Sequence, residues 1–596
     1  MLFNKITTSI KINATYIVVF LLVSYGALSY ASGLHDSPTT DEAQHIAAGY
    51  INFVLHDYRI NMEKPPLFRL LSAPLLMFAD PIIPVTDKSW EEGAISSWDF
   101  GNAFFYLYGN DADLILMIAR IPMVMLAMGL GLILYLFTKE LAGEDAALIV
   151  VFLFAFSPSF LAHGKYVNTD VPAAFGFVLV VYRYWCFMKK TSRIEAVLLG
   201  ISIGISVMLK QSVLLVVFWI TLFISARAFF LMFHKNWREV RILVGETVCA
   251  AMVALLLIYG MYWFASYLYP ESVMFQHVNS FMYRWQIVLP QNVVDLLSNR
   301  TTRPLGLFVV GVLREMRRVA SYQVQYFLGE YSVYGGWRTY FPILYLLKTP
   351  IAFHVVSVVA FVGAIIDFSW VKVKAISWEN ALPYITMAVV VGSYMLVAIY
   401  SPLNIGVRHI IPLLPYVMII VAIGCSGVIR KHNLPLMVVL IVAGVSYLWV
   451  GLSEFPHYLS YFNQISGGTR KGYEISVSSD YSWDQDYKRF GEWVRENGVE
   501  KIPVDCGYGR DAAFNYYAKD FTEPFRGSSS WLQESSKLQD ISELSKGDLL
   551  GVCVPILYGG YYVMEGQEFH VRYDYQTLRN MQPIDRVGTS IFIYRF

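Results

Sequence analysis

Apolar residues in this chain come in long runs separated by short polar stretches. About eleven of these runs approach the roughly 20 residues a helix needs to cross a bilayer core. They cover 12–31, 114–137, 147–162, 171–188, 195–210, 212–232, 244–266, 343–367, 382–400, 410–428 and 434–452. Lys210 and Gln211 separate the fifth run from the sixth, so one long bent segment is the alternative there. The first run, with its short basic start and Ala31, Ser32 and Gly33 near its end, also has the outline of a signal peptide. An uncleaved span fits better with ten more runs behind it.

With eleven spans, the basic residues flanking them share one side. These are Lys5 and Lys11, then Lys189, Lys190 and Arg193, then Lys235, Arg238 and Arg241, then Lys372 and Lys374, and last Arg430 and Lys431. The excess of Lys and Arg in cytoplasmic loops makes that side cytoplasmic. The expected protein is all-α and polytopic, in an inner or plasma membrane, with a cytoplasmic N-terminus. Three pieces then face outward: loop 32–113, loop 267–342 and the tail 453–596. The membrane domain is expected to span 1–452. The tail reads as a small α/β domain, with a helix over 484–497 and strands over Ile502–Cys506, Leu549–Leu557 and Thr589–Tyr594.

Composition agrees. Of 596 residues, 56% are hydrophobic and only 15% charged, against about 25% charged in soluble domains. A net charge of +1 gives no reason to expect a nucleic-acid partner. Cys186, Cys249 and Cys425 lie in apolar runs and read as small core residues, whereas Cys506 and Cys553 lie in the tail. No C-x-x-C pair suggests a zinc site.

The residues able to do chemistry gather at the outer ends of the spans. Asp41 and Glu42 open the first loop, followed by His45 and by Asn61-Met62-Glu63-Lys64-Pro65-Pro66-Leu67. Adjacent carboxylates beside a membrane span are costly unless solvated or used. Asp41 is placed to take a proton from an attacking group; the plainer reading is that both carboxylates cap a helix over 42–55. Asp170 ends the turn His163-Gly164-Lys165-Tyr166-Val167-Asn168-Thr169, again as a cap or as a second carboxylate of the same cavity. Arg408 and His409 stand at the edge of the tenth run. Arg can hold a lipid phosphate bidentately and Lys64 as a point charge, or both can simply snorkel. The aromatic stretch Tyr326-Phe327-Leu328-Gly329-Glu330-Tyr331, with Trp337 and Tyr340-Phe341-Pro342, suits an interfacial belt or the border of a groove. Beyond the last run, Asp480-Tyr481-Ser482-Trp483-Asp484-Gln485-Asp486 offers an indole and carboxylates to a sugar, or an acidic start to the next helix.

In order and placement these pieces resemble the bacterial and archaeal membrane glycosyltransferases of the protein mannosyltransferase and aminoarabinose transferase type, with the GT-C fold. The likeness runs from Asp41-Glu42-x-x-His45 through Glu63-Lys64-Pro65-Pro66-Leu67, Ser157-Pro158, His163-Gly164, Thr169-Asp170, Leu328-Gly329-Glu330, Lys348-Thr349-Pro350, Gly406-Val407-Arg408-His409-x-x-Pro412 and Tyr461-Phe462-Asn463 to Asp480-x-x-Trp483-Asp484-Gln485-Asp486. It implies a polyprenyl-phosphate-linked sugar as donor, a cavity open to the outer leaflet, inversion at the anomeric carbon, and a glycan, lipid or protein acceptor on the extracytoplasmic face. By motif, Asp41 would be the general base with Glu42 beside it, and Asp170 would orient acceptor or base. Lys64, Arg408 and His409 would hold the donor phosphate, and His45, Glu63, Glu330, Trp483 and Asp484 would line the substrates. Glu63 matches a carboxylate that lies near a metal in one branch of the group, which leaves a divalent metal as the one candidate cofactor. The tail does not match the β-trefoil insert of eukaryotic protein mannosyltransferases. A multi-pass transporter or lipid flippase is the alternative function, and a non-catalytic assembly or receptor protein a further one.

Overall fold

Each long apolar run becomes helix, because only a backbone that bonds itself can sit in hydrocarbon. The computed structural model describes residues 14–323, 325–332, 335–367, 377–507, 511–518, 522–524, 544–559, 561–565, 568–572 and 575–596. Lys5, Lys11, Lys372 and Lys374 lie outside the described residues.

Among the described residues, eight helices are long and apolar enough to cross a membrane: Ala14–Ala31, Ala112–Ala142, Asp170–Lys189, Gln211–Phe233, Trp237–Ser266, Trp378–Tyr400, Val407–Arg430 and Leu434–Ser453. A ninth candidate is a pair bent by 101°, Tyr340–Lys348 and Ile351–Ile366. Pro350 at the bend cannot continue the first helix. The chain is a multi-pass membrane protein. Two of the eleven expected spans take a different form. The third is divided into Glu144–Ala155 and Pro158–His163, since Ser157 is extended and Pro158 starts a new helix. The fifth, Arg193–Leu209, has 17 residues. Lys210, at φ −159° and ψ 132°, breaks the chain before Gln211. The fifth and sixth runs are therefore separate helices, not one bent segment.

The two ends of the bundle differ in charge. At one end Arg430 Nη2 donates to Ala142 O (3.4 Å) and Arg227 Nη1 to Met188 O (2.8 Å), so basic residues finish the helices, as suits the negative ends of their dipoles. At the other end lie the first loop, the loop 267–339 and the tail.

The tail is the expected α/β domain. Its helix Tyr487–Glu496 lays Phe490 and Val494 on a five-stranded sheet, ordered Thr522–Pro524, Ile502–Asp505, Leu549–Cys553, Ile591–Arg595 and Asp585–Val587. The first two pairings are parallel and the last two antiparallel. A disulfide between Cys506 and Cys553 joins the ends of two neighbouring strands. The aromatic stretch of the second loop forms a hairpin, Gln325–Phe327 with Glu330–Ser332, whose Tyr326 and Phe327 pack with Phe462, Tyr473, Tyr481 and Val552. Much of that stretch is thus the seam between loop and tail.

A disulfide persists only in an oxidising compartment. Without reductant, Cys506 and Cys553 are expected to resist alkylation and their peptides to co-migrate in mass spectrometry. Free alkylation of both would refute the pairing.

Candidate functional site

Helix Thr40–Val54 carries the first candidates, and Glu42 sets its position. This carboxylate has no exposed surface. Its Oε2 accepts from Thr39 N (3.0 Å) and from Arg120 Nη2 (2.7 Å). Its Oε1 accepts from Arg120 Nε (3.0 Å) and from Val167 N (3.1 Å). Glu42 therefore caps its own helix and fastens it to the span Ala112–Ala142 and to the turn 164–169. Asp41, one residue earlier, is rotated about 100° around the helix and its side chain keeps 22% exposure. Of the adjacent pair, Glu42 is committed to structure and Asp41 faces the open side.

Asp41 Oδ2 accepts from Arg408 Nη1 at 2.8 Å. The same nitrogen lies 3.7 Å from Asp170 Oδ2, and Asp170 Oδ1 takes Lys210 Nζ at 3.0 Å. Two carboxylates and two cations thus alternate in a chain across four segments that are far apart in sequence. Gly406 makes the Arg408 turn possible. Its φ is +121°, and an added Cβ would lie 2.5 Å from Ser479 Oγ. The close approach lets Asp480 Oδ1 accept from Val407 N at 2.7 Å. Burial pushes the Asp41 carboxyl up, but Arg408 outweighs it and holds it below the usual carboxylate range. His45, one turn on, is buried against Phe68. Burial, with Arg69 and Lys64 nearby, lowers it to about 3 despite Asp41, so the ring is neutral.

Beside this chain runs a second one. Lys64 Nζ lies 2.9 Å from Glu315, and Arg314 Nη2 lies 2.6 Å from Glu63. Burial raises Glu315, but Lys64 and Arg314 outweigh it and keep the carboxyl well below its ordinary range. Lys210 also acts on Glu315, which links the two chains. Gln211 Nε2, next to Lys210, donates to Glu63 O at 3.1 Å. Glu63 already has Arg314 as its cation, and among the described residues no group of three His, Cys, Asp or Glu side chains could hold a metal. The residues present do not fit a metal at Glu63.

The tail supplies a wall. Trp483 lies 4.1 Å from the Arg408 guanidinium and meets Tyr166 edge-on at 5.7 Å. Asp484 Oδ2 accepts from Thr40 Oγ1 at 2.5 Å, next to Asp41. Trp483 thus packs on Arg408 and Tyr166, and Asp484 bonds the residue before Asp41. Glu330 sits on the hairpin and accepts from Trp337 Nε1 at 3.3 Å. Among the described residues no ion pair or hydrogen bond joins it to Asp41, Asp170 or Arg408.

Sequence reasoning missed Lys210, Arg314 and Glu315. Lys210 carried a signal, a charge between two apolar runs, but it was read only as a break. It also missed a buried cluster behind Glu42. There Asp36 meets Arg489 at 2.7 Å, Lys165 at 3.3 Å and Arg120 at 4.0 Å. Burial raises Asp36, yet these three cations outweigh it and bring its carboxyl down to about 2.

Residues 96–279 match the family model of dolichyl-phosphate-mannose-protein mannosyltransferase, in keeping with the resemblance read from the motifs. No curated protein sequence matches the chain. Among solved structures, the apo oligosaccharyltransferase of Archaeoglobus fulgidus has 12% identity and a TM-score of 0.47, over 85% of this chain and 64% of that one. This chain therefore spans about two thirds of that protein's length. ArnT of Cupriavidus metallidurans bound to undecaprenyl phosphate has 10% identity and a TM-score of 0.46, over 97% of each chain. Archaeal AglB in complex with an inhibitory peptide and a dolichol-phosphate has 13% identity and a TM-score of 0.45, over 91% of this chain and 70% of that one.

Arg120→Ala leaves Glu42 buried and unpaired, so it is expected to destabilise the protein by about 3–5 kcal/mol, read as a lower unfolding temperature in detergent. Adding Glu42→Gln should recover part of the loss. Asp36 is depressed, so its contribution is full above its ordinary value of 3.8 and fades as the pH falls towards about 2. Asp36→Asn should flatten that acid limb of the stability curve, and an unchanged limb would count against the cluster.

Proposed function

We propose that the protein is an inverting glycosyltransferase. It moves a sugar from a polyprenyl-phosphate donor to a glycan, lipid or protein acceptor on the extracytoplasmic face. The observation that carries this reading is the Asp41–Arg408–Asp170–Lys210 chain at one end of the membrane helices. It sets a carboxylate able to take a proton beside cations able to hold a phosphate, at the ends of the helices Asp170–Lys189 and Val407–Arg430. A transporter would keep its ionisable residues nearer the midplane, often on broken helices.

In the reaction, the acceptor oxygen or nitrogen forms a bond to the anomeric carbon as Asp41 takes its proton. The bond from that carbon to the phosphate oxygen breaks on the opposite face. The electron pair leaves with the polyprenyl phosphate, whose growing charge is met by Arg408 and Lys64. Base and leaving group must flank the sugar, and Asp41 and Arg408 are only 2.8 Å apart. Donor binding therefore has to part them, Arg408 turning to the phosphate. Without Arg408 the Asp41 carboxylate becomes a stronger base, at the moment a base is needed.

The tail bears on this site through Trp483 and Asp484, which support acceptor selection by holding the Arg408 turn and the Asp41 helix in register. The Cys506–Cys553 disulfide supports an extracytoplasmic tail. The basic residues at the opposite end support a cytoplasmic assignment for that end.

Asp41→Asn should lower the transfer rate by about 10²–10⁴, while donor affinity holds or improves because Arg408 is released. Arg408→Ala should weaken donor binding, with Arg408→Lys only partly restoring it. Purified enzyme in nanodiscs, assayed for binding and for turnover, separates these effects. Wild-type turnover by the Asn variant would overturn the base, and unchanged donor affinity in both Arg408 variants would overturn the phosphate site. The acid limb of kcat/KM should lie below the ordinary carboxylate value of 3.8, because Arg408 depresses Asp41 in the free enzyme.

A further inference from the structure

Several polar atoms around Asp170 are buried and have no hydrogen-bond partner in the protein. They are Asp170 Oδ2, His163 Nδ1, Asn168 Nδ2, His409 Nε2 and Arg408 Nε. Buried polar groups without partners are rare, each costing free energy until something satisfies it. Here five occur on two short segments, 163–170 and 408–409, that the fold brings together. His163 is 2% exposed, Asn168 1% and Asp170 3%. The His163 ring lies between Tyr166 and Trp483, with both centroids at 6.1 Å. Asp170 acts on His163 and on His409. Asn168 is tied to the backbone of the same residue, its Oδ1 accepting from Asp170 N at 3.0 Å.

The chemistry of this group differs from that of the ion-pair chains beside it. The buried His163 ring has the uncharged rings of Tyr166 and Trp483 as neighbours. A neutral imidazole can donate at one nitrogen and accept at the other. Asn168 offers a donor, and Asp170 Oδ2 an acceptor. Alternating donors and acceptors on nearly fixed side chains suit neighbouring hydroxyl groups, each of which gives one hydrogen bond and takes another. The cations at Asp170, Lys210 at 3.0 Å and Arg408 at 3.7 Å, are already engaged by carboxylates, which disfavours a second phosphate here.

We propose that His163, Asn168 and Asp170 form a subsite for the ring hydroxyls of the transferred sugar. This rests on the reading of Arg408 as the phosphate holder. A sugar joined to a phosphate at Arg408 carries its nearest hydroxyl within two or three bonds of the phosphoester oxygen. Asp170 Oδ2 lies 3.7 Å from Arg408 Nη1, which is the right reach. His163 then discriminates among sugars and takes no part in proton transfer. The carboxylate that takes the acceptor's proton is Asp41, which the same arginine holds on its other side.

The test uses the full-length protein in nanodiscs with two kinds of probe: bare undecaprenyl phosphate, and a panel of undecaprenyl-phosphate hexoses and pentoses. Wild type should bind at least one sugar-bearing lipid more tightly than the bare lipid. His163→Leu and Asn168→Leu should each shrink that advantage by about tenfold, the size of one lost hydrogen bond, with bare-lipid affinity unchanged. His163→Gln, neutral and still able to hydrogen-bond, should keep most of it. The inference is overturned if the Leu variants keep the sugar preference, if they lose bare-lipid affinity equally, if only the acceptor KM moves, or if no sugar adds affinity in wild type. Failure of wild type to bind even the bare lipid would instead overturn the proposed function. Equal unfolding temperatures across the variants check that each is folded.

Discussion

A carboxylate with no exposed surface, at the end of an apolar helix bundle, has to be answered by a cation. Glu42 and Arg120 satisfy that demand, and the rest of the site follows from their pairing. Arg120 comes from the third turn of the membrane helix Ala112–Ala142, so Glu42 cannot move without leaving one charge or the other unpaired. Fixing Glu42 fixes the first turn of helix Thr40–Val54, and with it the direction of Asp41. The Val167 amide on the same carboxylate sets the turn that ends at Asp170. One ion pair thus orients both carboxylates that reach Arg408.

Much of this was legible in the sequence, because membrane chains restrict where charge can go. Long apolar runs foretold helices, and Asp41, Asp170 and Arg408 stood out as ionisable residues at the ends of those runs. The structure brings these three together. What was hidden were the partners. Glu42 and Asp41 are adjacent and look alike, and only the burial of one and the partial exposure of the other separates the carboxylate that pairs with Arg120 from the one that pairs with Arg408. Arg314 and Glu315 lie on the helix Arg303–Val319, where a charged residue reads as a solvated face. Their pairing with Glu63 and Lys64 depends on a loop packing that no local pattern encodes. The broken third span shows the same limit, since hydropathy does not mark the extended residue before Pro158.

The tail and the membrane domain cannot be considered separately. Trp483 lies against Arg408, Asp480 holds the backbone at Val407, and Asp484 holds Thr40. The aromatic residues of loop 267–339 pack into the same seam. An α/β domain that looks like an appendage in the sequence is, in the fold, packed against the residues around Asp41 and Arg408.

The buried cluster behind Glu42 also has a consequence for biosynthesis. Asp36 emerges from the ribosome near the start of the chain, and Arg489, its nearest cation, near the end. Asp486 ties that arginine to the final strand through the amides of Thr589 and Ser590. Until the last segment has folded, Asp36 lacks the nearest of its three cations and is held only by Lys165 and Arg120, the latter shared with Glu42. An incomplete or truncated chain would therefore hold Asp36 more loosely and leave the loop beside it uncovered, a mark by which a cell's proteases could tell unfinished copies from finished ones.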